Sequence, residues 1–116
     1  MDVVKNEPGI SPSRVVLVHV ELQTIREIKD KGYWYGVTLY PWVKCSPAMG
    51  VDIIEIYGSD RVWIDSGADW GVSDPLSTLK TANEMRMRGH PETLIQKVFY
   101  DNPKAFLGQC PKFKAQ

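Results

Sequence analysis

Arg14-Val-Val-Leu-Val-His19 is the stretch that decides the fold class. Its four central residues are all apolar, and three of them are β-branched valines. A run this short, without the alternation of a half-exposed strand, suits a strand buried on both faces, as in a parallel sheet. Parallel strands need a crossover between them, and the following residues supply one. Over 21–31, Leu22, Ile25 and Ile28 recur at helical spacing, and Gly32 follows as a stop.

The same unit repeats outward along the chain. Tyr33 to Tyr40 is rich in aromatic and β-branched residues and ends at Pro41, which predicts a second strand. Ser46-Pro47 then opens a helix, with the serine placed to cap free N–H groups and the proline at a position whose N–H has no helical partner. Ile53, Ile54, Ile56 and Tyr57 give that helix an apolar side, and Gly58 ends it. A third strand is expected from Arg61 to about Asp65, running into Ser66-Gly-Ala-Asp69-Trp-Gly71. Asp74-Pro75 starts a helix that runs to Gly89, and His90-Pro91 starts another that ends near Asn102-Pro103, before a short turn through Ala105, Phe106 and Leu107.

The order β-α-β-α-β-loop-α-α is that of an α/β fold with a parallel sheet and right-handed crossovers. Three strands alone leave both sheet edges open and both faces in need of cover. A (β/α)8 barrel takes ~250 residues, or about 30 per unit, so residues 14–109 match the last three βα units plus C-terminal helices of a partial TIM barrel. Residues 1–13 form a polar lead and 110–116 a frayed tail. Such a piece is expected to expose an apolar face where the remaining strands would pack.

Fourteen basic side chains balance fourteen acidic ones, so net charge makes no case for nucleic acid or an anionic membrane. The apolar runs fall far short of the ~20 residues of a bilayer span, and the first residues lack the apolar core of a signal peptide. Cys45 and Cys110 are too few and too far apart for a disulfide scaffold, so both are expected reduced, in a cytoplasmic protein.

In barrels of this kind, chemistry gathers at the C-terminal ends of strands. His19 closes the first strand, and Asp69 follows the third in a glycine-containing loop. An imidazole and a carboxylate entering one mouth from different strands make a start on a Zn, Mn or Mg site, and the carboxylate equally suits a general base. The same residues read equally as a hydrogen-bonded histidine and as an Asx-turn or helix cap, the latter fitting Asp74 better than Asp69. Lys44 and Cys45 follow the second strand and are expected in a solvated loop; His90 reads as a cap neighbour on the outer side. Trp34, Trp42 and Trp63 read as packing, and Trp70 neighbours Asp69. No Walker motif, G-x-G-x-x-G, G-x-S-x-G or H-E-x-x-H occurs.

Residues 15–107 resemble the C-terminal third of TatD-like metal-dependent hydrolases of the amidohydrolase superfamily. The resemblance rests on VLVHVELQTI, GYWYGVTLYPWVKCSP, RVWIDSGADWGVSDPL and YDNPKAFLG, with ADWGVSDPL the most specific. It implies that His19 is the metal-binding histidine of the sixth barrel strand. It implies also that Asp69 is the aspartate after the eighth, which binds metal and activates the nucleophilic water. The implied activity is hydrolysis of an ester or phosphodiester-type bond in a small-molecule or phosphodiester substrate, with a divalent metal as cofactor. The family's paired H-x-H, its glutamate and its other histidine have no counterpart in these 116 residues. The segment is therefore expected to be inactive alone, with a second chain supplying the missing strands as one solution. The alternative reading is a noncatalytic fragment that acts as an interaction or assembly module.

Overall fold

The structure is a computed structural model that describes residues 9–42, 44–67 and 72–114. Its centre is a three-stranded parallel sheet in the order β1 (Val16–Leu17), β2 (Trp34–Leu39), β3 (Val62–Ser66). The helices are α1 (Ile25–Asp30), α2 (Pro47–Tyr57), α3 (Ser77–Met87), α4 (Glu92–Gln96) and α5 (Asn102–Leu107). The α/β class, the parallel pairing and the β-α-β-α-β order are as the sequence predicts.

Strand β2 is buried on both faces, and the pleat divides its side chains. Tyr35, Val37 and Leu39 join Val62 and Ile64 against the helical layer. That layer contributes Ile25 and Ile28 from α1, Val51, Ile53 and Ile54 from α2, and Met85 from α3. Close approach of α2 depends on Gly50, where an added Cβ would stand 3.2 Å from a Leu39 methyl and 3.5 Å from Thr81.

The opposite face carries Trp34, Gly36 and Thr38, registered against Trp63 and Asp65 of β3. Phe106 from α5 packs on both indoles, with ring centroids 5.6 Å from Trp34 and 5.4 Å from Trp63. Trp34 and Trp63 are thus half-buried packing residues. The open apolar face expected of a barrel piece is correspondingly small: Gly36 and Thr38 are buried, and Val18 is half-exposed at the rim.

Several element boundaries differ from the sequence reading, each for a local reason. The first strand is shorter than Arg14–His19. Pro12–Arg14 forms a 3-10 turn, and pairing stops after Leu17, before His19 adopts a φ of 56° that turns the chain off the ladder. The first crossover begins as a 3-10 turn, Leu22–Thr24, before α1.

The largest difference is at Asn102-Pro103, which reads as a stop but lies inside a continuous helical path. A π turn over Lys97–Asp101 joins α4 to α5, with the Asn102 N–H donating to the Lys97 carbonyl. Proline has no N–H to give to the preceding turn, and the wider turn directly before it absorbs that loss. The Asn102 side chain donates to the carbonyls of Ser59 and Val62, both at 2.7 Å, and so fastens the helix to the start of β3.

Candidate functional site

Because the three strands are parallel, the loops after Leu17, Leu39 and Ser66 leave the sheet at one edge. His19 enters that edge two residues beyond β1 rather than as its last residue. Its backbone is left-handed, which is uncommon for a residue with a Cβ and more frequent for His, Asn and Asp than for most others. The imidazole is exposed, with its centroid 6.1 Å from that of Tyr40, and its nitrogens have no hydrogen-bond partner among the described residues. The alternative of a buried, hydrogen-bonded histidine is therefore not realised among these residues.

Tyr40 is buried and stands between the two other loops. On one side is His19; on the other the backbone of Gly67 lies flat against the phenol ring, where any Cβ would enter the ring itself. The Gly67 N–H donates to the Leu39 carbonyl at 3.2 Å, extending the β2–β3 ladder by one rung. Gly67 is thus required here by close approach rather than by backbone angle.

The turn after β2 is closed by three backbone bonds: Tyr40 N–H to the Cys45 carbonyl, and the N–H groups of Lys44 and Cys45 to the Tyr40 carbonyl. It directs Lys44 back across the edge, where its ammonium donates to the His19 carbonyl at 3.0 Å and meets Glu21 Oε1 at 2.8 Å. Lys44, expected in a solvated loop, is instead a tie between two loops. Cys45 is buried, and burial pushes its thiol up to about 11. Trp42 is 65% exposed beside this turn, so unlike Trp34 and Trp63 it packs little.

Asp69 and Trp70 lie outside the described residues. Asp74 forms an Asx-turn just before α3, accepting the Leu76 N–H at 2.9 Å, and pairs with Lys80. His90 pairs with Glu55 at 2.8 Å on the outer helical surface, next to the Arg88 cluster with Asp52 and Glu84. Two larger cavities lie elsewhere: one of about 590 Å³ beside β3, between α3 and the α4–α5 path, and one of about 520 Å³ between Lys29 and Arg61. Neither is lined by His or Cys.

One donor here suits a divalent cation: an exposed imidazole whose nitrogens have no partner among the described residues. A complete site takes about three protein ligands, and no group of three His, Cys, Asp or Glu side chains is gathered among the described residues. The tie through Lys44 and the seat of Tyr40 on Gly67 escaped sequence reasoning. Both depend on which loops the parallel sheet brings together. No helix among the described residues is long and apolar enough to cross a membrane. A scan against protein-family models gives no match, and a search of curated proteins finds no significant relative.

Proposed function

We propose that this chain is the C-terminal part of a (β/α)8-barrel, metal-dependent hydrolase of the TatD-like kind, and that it supplies His19 and Asp69 to a divalent site. The observation that carries the proposal is an imidazole two residues beyond β1, without a hydrogen-bond partner among the described residues, at the edge where β3 also ends; Asp69 follows β3 by three residues in the sequence. The resemblance of ADWGVSDPL to the family's segment after its last strand supports the same assignment. A divalent cation, when bound, supplies an acidified water for attack on an ester or phosphodiester bond.

The chain's own part is narrower. His19 offers a neutral nitrogen, and Asp69 is proposed both as ligand and as the base that takes a proton from the water. Further ligands have to come from other strands, on this chain's parent or on a second polypeptide, so the 116 residues are proposed to be inactive by themselves.

Manganese titration followed by NMR tests this. Mn2+ should broaden the His19 ring signals and the amides of 67–73 at substoichiometric metal, and a His19→Ala, Asp69→Ala double variant should abolish the effect. Equal broadening in the wild-type chain and the double variant would remove the metal-site reading.

A further inference from the structure

We infer that Lys44 is a positioning residue for His19, holding the imidazole at the sheet edge by gripping its backbone. The functional meaning rests on the reading of His19 as a ligand; the geometry stands without it. His19 sits at φ 56°, a left-handed conformation that costs free energy when a Cβ is present. Such a residue holds its place only where surrounding contacts over-determine it. Here the carbonyl of His19 accepts from the Lys44 ammonium at 3.0 Å, a charge-assisted bond stronger than its neutral equivalent.

The anchor behind Lys44 is itself stiff. Its turn is closed by the bonds between Tyr40, Lys44 and Cys45, and Cys45 is buried at the base. Glu21, two residues beyond His19, forms an ion pair with the same ammonium at 2.8 Å. Lys44 therefore spans the loop on both sides of Val20, and both contacts fall on this one loop, as a clamp requires. With the backbone fixed in this way, the ring stays over Tyr40, 6.1 Å between centroids, and its nitrogens face no protein competitor among the described residues.

The test uses the whole chain and two variants, Lys44→Met, which keeps the apolar stem, and Lys44→Arg, which keeps the donor. Two metal-free NMR observables report His19 directly: its intraresidue HN–Hα NOE, which is strong for a left-handed φ and weaker for a negative one, and the Tyr40 ring-current displacement of its imidazole protons, with Tyr40→Leu as the zero. Lys44→Met should weaken the NOE and lose at least half the displacement. Lys44→Arg should retain both, and Glu21→Gln should fall between. Wild-type values in Lys44→Met, or equal loss in Lys44→Met and Lys44→Arg, would overturn the inference. Mn2+ broadening on the same samples separates the two ideas. If Lys44 controls the His19 geometry while Mn2+ fails to act on the wild type, the clamp stands and the metal reading falls.

Discussion

The two ends of the three-stranded sheet are held in different ways. At the end where the strands begin, ties from distant parts of the chain converge. Asn102 fastens the C-terminal helix to the carbonyls of Ser59 and Val62, and Gln109 and Arg14 join that helix to the residues before β1. Arg61, itself at a φ of 58°, reaches the Gly32 carbonyl at 3.1 Å. At the end where the strands finish, the described residues are linked by the Lys44 ammonium, by the contacts of Tyr40 with His19 and Gly67 and by the Gly67 N–H on Leu39, and Val18, Trp42 and Val72 are exposed. Among the described residues each end has one non-glycine residue in the left-handed region, but Arg61 uses it to extend a side chain and His19 to present a carbonyl. A fold fixed at one end leaves the other free to carry chemistry.

The largest effect is expected at Asn102. Replacing it with Leu removes two hydrogen bonds and strands the Val62 carbonyl inside the protein, at a cost of about 3 kcal/mol. Urea denaturation should show that loss, whereas Lys44→Met should cost less than about 1 kcal/mol because its pair is half-exposed. Equal losses would mean that the two ends share the stability. Gly67→Ala comes next. The new methyl must displace the Tyr40 ring, which should cost about 2 kcal/mol. Its NMR signature should be confined to Tyr40 and His19, leaving the Trp34, Trp63 and Phe106 signals in place.

The begun end was the less legible from sequence. Periodicity located all three strands and α2 because one local rule governed each of them. Asn102-Pro103 obeyed the same rules and misled: proline marks a helix end when only the chain matters, yet the π turn lets the helix pass through it to place Phe106 on Trp34 and Trp63. No local pattern announces a side chain that bonds to carbonyls forty residues earlier. At the other edge, His19 was legible as a strand-end imidazole, but its left-handed backbone and its clamp were not, since Lys44 lies twenty-five residues away in a different loop. Strand order made that proximity, and strand order follows from the whole sheet.

Cysteine chemistry sharpens the comparison at smaller amplitude. Cys45 lies under the clamp with its thiol pushed up to about 11 by burial, so at pH 8 only about one in a thousand is thiolate. Cys110 is exposed. Iodoacetamide at pH 8 should alkylate Cys110 first, with Cys45 reacting at least about ten-fold more slowly until urea opens the core. If Lys44→Met raises the Cys45 rate without lowering the urea midpoint, the upper turn opens on its own; if not, it moves only with the fold.

The smallest effect separates two carboxylates, one at each end. Lys97 holds Asp60 below the ordinary carboxylate range at the begun end, chiefly by a side-chain hydrogen bond. At the finished end Asp74 is lowered by two partners, Lys80 first and then the Leu76 N–H. For a lowered carboxylate the linked stability is present above its unfolded value, about pH 4, and is lost as pH falls through the folded value. Both contributions are therefore fully present at neutral pH and fade only in acid. Carboxyl NMR titration of the lysine variants distinguishes them. Lys97→Met should return Asp60 most of the way toward its ordinary value, because its remaining attractions, to Lys29 and Arg61, are the smallest causes of the shift. Lys80→Met should leave Asp74 still lowered, because the backbone N–H is unaffected by loss of the lysine. A full return of Asp74 would mean that its Asx-turn before α3 depends on the ion pair.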